Sequence, residues 1–484
     1  MKRQLIFAIL LLAFVLRLYH IDFPVAGWHS WRQADTAAMA RNFYESGFDF
    51  LHPQIDWGGN SPGVVESEFP VYPFLVSVVY AVFGKNDAWG RLLSVIFSLF
   101  TIYGLYLLVR KYQSNSVALW SAFIYAIIPL SIYYSRAFMP ESAMLMCSVL
   151  GIHWFSKWLD EGNSRHFLLS SLAISLAILL KIPALYLGLP LLYLAWLRFG
   201  KSTFKTSMLW LYAFLVLLPV ALWYYHAHQL YLQSGLTYGI WGFGTDKWGN
   251  FDIVLTLKFY NDIFFKSIAE RHLTYAGFIP FLVGLFIKRT TKGERLFDFW
   301  LIAVVIYFLI VAKGNQVHEY YQLPFVLPAV VYVGKTFAKH LPLKSFRGLF
   351  ASKPLLSTLF SLCLVGVCVL SYLRYDRFMN SETFDSSLFR LASAVQEVTQ
   401  RHDLVIAVSE YNPIVLYRCN RKGWNSSVDQ LDSMFIDARR TMGAKYIIGE
   451  TPLFDTPERE KILHYLLDSH EVITKGKDYF VIAL

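Results

Sequence analysis

Between residues 21 and 70 the chain carries seven carboxylates, Asp22, Asp35, Glu45, Asp49, Asp56, Glu66 and Glu68, against two cations, Arg32 and Arg41. The chain as a whole has a formal charge of +10, so this stretch stands apart in sign. Carboxylates gathered in one early loop suit proton transfer or the binding of a cation. Three further polar groups interrupt otherwise apolar sequence. They are the Arg136 to Glu141 turn, Lys181 between Leu180 and Ile182, and the Lys313 to Pro324 turn with His318, Glu319, Tyr320 and Tyr321. An ionisable side chain beside a bilayer core is costly unless partnered, so each of these is a candidate site residue.

The elements that must position these residues are membrane-like. The 484 residues are 56% hydrophobic, 17% aromatic and 16% charged, with a mean hydropathy of +0.42, which fits a polytopic all-α membrane protein. Lys and Arg are scattered through short loops between apolar runs, a pattern the positive-inside rule explains without a polyanionic partner, so nucleic acid is set aside. Cys147, Cys363 and Cys368 fall in apolar runs and Cys419 stands alone in the tail, so no disulfide framework is implied.

About eleven transmembrane helices are expected, near 4–20, 87–109, 116–135, 140–157, 166–181, 183–198, 207–226, 273–288, 297–312, 320–338 and 355–373. Val71 to Gly84 is too short to cross and contains Pro73; it is expected as a half-inserted helix. Leaving it out puts the pairs Lys2/Arg3 and Arg110/Lys111, and the later clusters ending in Lys335, Lys339, Lys344, Arg347 and Lys353, on one side, the cytoplasm. Lys2-Arg3 before the first apolar run resembles a signal peptide, but Arg17 and Tyr19 follow with no small-residue cleavage pattern, so a signal anchor is expected. The 21–70 loop, the 227–272 loop, the three polar turns and the tail then lie outside.

Within the first outer loop, Ser30-Trp31-Arg32-Gln33 has capping-box form and Gly47 is a stop signal, so a helix is expected over Ser30 to Ser46. Its Trp31, Ala34, Ala38 and Phe43 form a stripe suited to lying on the membrane surface. The chain thus divides into a membrane domain, residues 1–375, and a small α/β domain, residues 376–484. The latter has a helical pattern from Leu388 to Val398 and strands at 404–408, 445–448 and 479–484.

The order of motifs is distinctive. A signal-anchor helix is followed by Trp31-Arg32-Gln33-Ala34-Asp35-Thr36, Glu68-Phe69-Pro70-Val71-Tyr72-Pro73, Gly90-Arg91-Leu92-Leu93-Ser94 and Tyr134-Ser135-Arg136-Ala137-Phe138-Met139-Pro140-Glu141. In this order, over roughly residues 1–200, the chain resembles the GT-C membrane glycosyltransferases, in the branch of protein O-mannosyltransferases and lipid A aminoarabinose transferases. The resemblance implies a polyprenyl-phosphate sugar donor and transfer, with inversion, to an acceptor lipid, glycan or protein. It makes Asp35 the general base and Arg136 and Lys181 the candidates for the donor phosphate. Glu66, Glu68, Glu141, His318, Glu319, Tyr320 and Tyr321 become substrate-binding candidates. The family commonly has a second acid after the first motif's Asp; here it is Thr36, so any role of that acid, metal binding included, does not carry over.

A divalent metal stays open, since His29, Asp35, Glu66, Glu68 and His318 are oxygen or imidazole ligands, with His29 and Glu68 the candidates; no two of these histidines share helical ligand spacing. The aromatic 227–272 loop, with Tyr231, Tyr238, Trp241, Phe243, Trp248 and Phe251, suits either sugar stacking or lipid contact. Two other classes of function are weighed. A lipid-linked-sugar transporter, when ion-driven, needs ionisable groups near the bilayer midplane, and the span interiors hold no Asp or Glu. A non-catalytic sugar-lipid binder would keep the pocket without using Asp35. The implied setting is a bacterial inner membrane, with the site facing the periplasm.

Overall fold

A computed structural model describes residues 2–240, 247–249, 251–343, 354–380 and 386–484. Trp241, Phe243, Lys344, Arg347 and Lys353 lie outside the described residues. The chain forms two compact units. A helical unit takes residues 1–21, 91–226 and 242–379, and a mixed unit takes 22–90, 227–241 and 380–484. The tail therefore shares its unit with the acidic first loop.

In the helical unit a helix occupies each of the apolar stretches expected to be one. Among the described residues four of them, Asp87–Tyr112, Ile182–Lys205, Ser207–Ser234 and Pro354–Asp376, are long and apolar enough to cross a bilayer. Helices Glu141–Glu161 and Ser164–Leu180 form a hairpin. Its turn follows from Gly162 in the left-handed region (φ 66°) and from Asn163, whose side chain accepts the Arg165 N–H at 2.8 Å. Helix Leu323–His340 is wedged between Thr274–Phe286 and Asn115–Ile127. Glycine permits both crossings. A Cβ at Gly284 would stand 2.2 Å from the Tyr332 carbonyl oxygen, and one at Gly334 would stand 2.4 Å from Ser121 Oγ.

The expected 116–135 span is broken. Helix Asn115–Ile127 ends where Ile128 turns extended before Pro129, and a short helix Pro129–Tyr134 follows. Arg17, fully buried on the first helix, uses the break: it donates to the Ala126 carbonyl at 3.0 Å, to Ala13 O at 3.1 Å and to Ser131 Oγ at 3.3 Å. A buried guanidinium is tolerable only with such partners.

In the mixed unit five strands, β1 (Leu404–Val408), β2 (Gly423–Ser426), β3 (Ala444–Glu450), β4 (Val472–Lys475) and β5 (Tyr479–Ala483), form a sheet in the order β2-β1-β3-β5-β4. β1 runs parallel to β2 and β3, while β5 is antiparallel to β3 and β4. Ile406, Val408, Ile447, Phe480 and Ile482 bury one core against Val428, Leu431, Ile436 and Leu466.

Helix Ser30–Glu45 corrects two expectations. It does not lie as an amphipathic surface helix, for every residue from Arg32 to Phe43 is buried. Ala34, Ala37, Ala38 and Ala40 are small enough for helix Val71–Phe83 and helix Ile414–Cys419 to pack on it. Nor does Ser30 cap it. The cap residue is His29, in the left-handed region (φ 53°) with no side-chain capping bond. Gln33 Nε2 instead donates to Trp28 O at 2.9 Å, and Ser30 Oγ accepts from Asn412 Nδ2 at 3.2 Å. The capping box fails because Gln33 reaches back past the cap to Trp28 and Ser30 is taken by Asn412 of the tail.

Candidate active site

Asp35 lies at the second turn of the buried helix Ser30–Glu45 and is 4% exposed. The indole N–H of Trp57 donates to its Oδ1 at 3.0 Å. Burial pushes the carboxyl up to about 7; the Trp57 hydrogen bond and the Arg32 charge pull it down, and the Asp56 charge adds to the rise. Arg32 ion-pairs with Glu68 and stacks 4.1 Å above the Tyr238 ring. Thr36, where the family commonly places a second acid, has its hydroxyl donating to Arg32 O at 2.8 Å and lying 3.4 Å from Tyr238 Oη.

Glu66 is fully buried and accepts the Thr237 hydroxyl and, at 3.1 Å, the Tyr238 N–H; burial raises its carboxyl despite these bonds. Glu66 thus ties residues 236–238 beside Arg32. His29 stands edge-on to Trp28, with ring centroids 5.8 Å apart. Among the described residues no three His, Cys, Asp or Glu side chains are grouped to hold a metal, and Glu68 already faces a guanidinium.

A second polar group is built inside the helical unit. Helix Ser164–Leu180 stops at Lys181, which turns extended (φ −153°, ψ 106°) and precedes the 3₁₀ helix Ile182–Leu187. Lys181 is 8% exposed, its Nζ 2.9 Å from Glu141 Oε1 and 5.9 Å from the Tyr320 ring centroid. It is therefore held inward rather than snorkelling. Glu141 is the first residue of helix Glu141–Glu161, where the helix dipole favours a negative charge. Arg136, fully buried in the preceding turn, donates to His20 O. The ion partner of Glu141 is thus Lys181, while Arg136 donates to a backbone carbonyl.

The 313–324 turn completes this group. Glu319 Oε1 accepts from Tyr134 Oη at 2.9 Å and Oε2 stands 3.9 Å from Arg271 Nη1. The His272 imidazole, lowered to about 4 by burial against the opposing pull of Glu319, is neutral and donates to Glu319 O at 3.2 Å. His318 lies 5.3 Å from the Tyr320 ring and 5.5 Å from that of Tyr321, and the Tyr321 carbonyl accepts from Tyr307 Oη at 3.1 Å.

Comparison with known proteins converges on one architecture. Residues 66–226 match the family model described as dolichyl-phosphate-mannose-protein mannosyltransferase. ArnT from Cupriavidus metallidurans, solved bound to undecaprenyl phosphate, superposes with a TM-score of 0.65 at 12% identity, over 98% of this chain and 97% of that one. The Archaeoglobus fulgidus oligosaccharyltransferase, solved with Zn and sulfate, gives a TM-score of 0.61 at 14% identity, over 98% of this chain and 73% of that one. The chain has the GT-C fold. An uncharacterised protein of Aquifex aeolicus is 25% identical over 287 residues, which are 56% of this chain; the chain spans 61% of that relative's length.

Of the expected residues, then, Asp35, Glu66, Glu68 and His29 lie in the mixed unit of this GT-C fold. Arg136, Glu141, Lys181, His318, Glu319, Tyr320 and Tyr321 lie in its helical unit. Trp57, Arg32 and Tyr238 around Asp35, and Arg271 and His272 around Glu319, were missed. Arg271-His272 carried a signal, being a basic pair directly before an apolar run. Trp57 carried none, because its role depends on a loop returning to a helix 22 residues earlier.

Proposed function

We propose that the chain is a membrane glycosyltransferase that moves a sugar from a polyprenyl-phosphate donor to an acceptor hydroxyl or phosphate, with inversion at the anomeric carbon. For a hydroxyl acceptor, Asp35 removes the proton as the acceptor oxygen bonds to the anomeric carbon. The bond from that carbon to the phosphate oxygen breaks, and polyprenyl phosphate leaves with the electron pair. The proton stays on Asp35 until solvent takes it. Lys181 and Arg136 hold the phosphate and offset the charge that gathers on it. Fixed cations in a water-poor site are effective here because they need not reorganise as the charge develops.

The observation that carries this assignment is Asp35 itself. A carboxylate buried on one indole N–H, with its proton equilibrium near 7, is poised to accept a proton at neutral pH, where an ordinary surface aspartate is too weak a base. The donor class rests on likeness: ArnT, whose fold the chain shares, was solved with undecaprenyl phosphate. A bacterial inner membrane with the site on the periplasmic side completes the reading, and Glu68, Glu319, His318 and Tyr320 are assigned to substrate.

The test offers purified protein in lipid a panel of labelled undecaprenyl-phosphate sugars, hexoses and aminopentoses, with and without chelator. Release of undecaprenyl phosphate from one member establishes the activity. Binding of the panel with no release under any acceptor tried, from hydroxylated peptide to lipid A, refutes it.

A further inference from the structure

The mixed unit joins the acidic loop to the tail through the segment that carries Trp57. At the start of β2, the Gly423 N–H donates to Asp56 O at 3.0 Å and the Gly423 carbonyl accepts from the Gly59 N–H at 2.8 Å, so both backbone groups of the first residue of β2 are bonded to residues 56–59. Gly59 adopts φ +66° with Trp424 directly over it; a Cβ there would stand 2.5 Å from Trp424 Nε1. Lys422 Nζ adds donations to Gln54 Oε1 and Pro62 O, both at 3.3 Å.

The other side of the segment is fixed as well. Asp56 is 1% exposed and ion-pairs with Arg41, and Asn42 Nδ2 donates to it at 3.2 Å. Arg41, itself buried, donates to Tyr417 O at 3.3 Å and lies 5.3 Å from the Tyr417 ring centroid. Helix Ile414–Cys419 is held in turn by Asp87, which takes the Tyr417 hydroxyl and, at 3.1 Å, Arg418 Nη1. Between two such anchors Asp56 and Trp57 have little freedom, and Trp57 presents its N–H to Asp35.

We propose that the C-terminal α/β tail is a positioning element for the catalytic base. Its β2 edge and the helix Ile414–Cys419 clamp Asp56-Trp57, so that Trp57 fixes the geometry of Asp35 and Asp56 its electrostatics. The proposal rests on Asp35 as the base. Trp57 and Asp56 are positioning residues acting through Asp35, and the tail requires no substrate contact for this role.

The clamp predicts shifts of opposite sign in the acidic limb of turnover against pH. Trp57→Phe removes a donor that favours the charged carboxylate, so the limb moves up by about one pH unit. Gly59→Ala, which collides with Trp424 and pulls the segment off β2, moves it up as well. Asp56→Asn removes a negative neighbour and frees the charge of Arg41, so the limb moves down. A merely structural role lowers activity in all three without these signs.

The profiles are read as release of undecaprenyl phosphate from the panel sugar that turns over, with Asp35→Asn alongside and undecaprenyl phosphate binding as the check on folding. Opposed shifts with binding retained support the clamp. Loss of transfer in Asp35→Asn with unmoved limbs in the folded variants overturns it and leaves the base standing. A Gly59→Ala limb in the wild-type position while that of Trp57→Phe moves overturns the part assigned to the tail. Transfer that survives Asp35→Asn overturns both. Where Trp57→Phe fails to bind, Asp56→Asn decides alone: no downward shift overturns the clamp.

Discussion

A carboxyl group that ionises near pH 7 while buried is costly to the fold that keeps it. Asp35 titrates near 3.8 when unfolded and near 7 when folded, so between those values the folded state holds more protons than the unfolded state. Stability therefore falls as pH rises through that window and stays low above 7. Asp35→Asn, which keeps the shape and never ionises, is expected to raise the thermal midpoint at pH 8 and to change it little at pH 4, as scanning of detergent-solubilised protein would show. Catalysis has the opposite sign. Only the charged form accepts a proton, so turnover is expected to climb about tenfold per pH unit below 7 and to level off above it.

Lys181 gives a second prediction at this scale. Lys181→Met leaves Glu141 buried without its ion partner and removes a cation assigned to the phosphate. Undecaprenyl phosphate affinity should fall by at least about tenfold, corresponding to about 1.4 kcal/mol. Adding Glu141→Gln should recover thermal stability but not affinity, because it removes the stranded charge without restoring the cation. Equal affinity in the single variant and the wild type, by titration with undecaprenyl phosphate in nanodiscs, removes Lys181 from its role.

At the scale of elements, close helix crossings decide the helical unit. Gly284→Ala puts a methyl group 2.2 Å from a carbonyl on the facing helix, and a backbone oxygen cannot rotate away. The helices must part, at a cost of about 1–3 kcal/mol, measurable as a lowered midpoint of thermal unfolding. Gly162→Ala, whose added Cβ meets nothing within 4 Å, costs only the strain of its left-handed backbone and should shift the midpoint less. The same elements show what was legible in the sequence. Apolar runs located the membrane-type helices, and runs such as Leu404–Val408 located three of the five strands. β2, Gly-Trp-Asn-Ser, has no alternation to find, since its place is set by parallel pairing with β1. The apparent capping box at Ser30 misled because a local motif was outbid by the tail, whose Asn412 takes Ser30.

For the molecule as a whole, charge and hydropathy carried the class, and motif order carried the fold family; the site was legible only in part. Arg136 and Lys181 stood out because an ionisable group beside an apolar run needs a reason to be there, and Asp35 through the order of motifs that resembles the GT-C enzymes. Their neighbours did not, because the chain returns from distant segments to supply them: Trp57 to Asp35, Arg271 to Glu319, and the tail to Asp56. The same charge pattern predicts orientation. A C-terminal alkaline phosphatase fusion in bacteria should be active, whereas a fusion truncated after Arg110-Lys111 should be inactive. The reverse pattern would place the acidic loop in the cytoplasm.

The most direct test of the central assignment is a comparison of wild-type protein with Asp35→Asn at pH 8, in lipid, with the undecaprenyl-phosphate sugar that turns over. Release of undecaprenyl phosphate should fall by about 10²–10⁴-fold in the variant while undecaprenyl phosphate still binds. Release at the wild-type rate would contradict it.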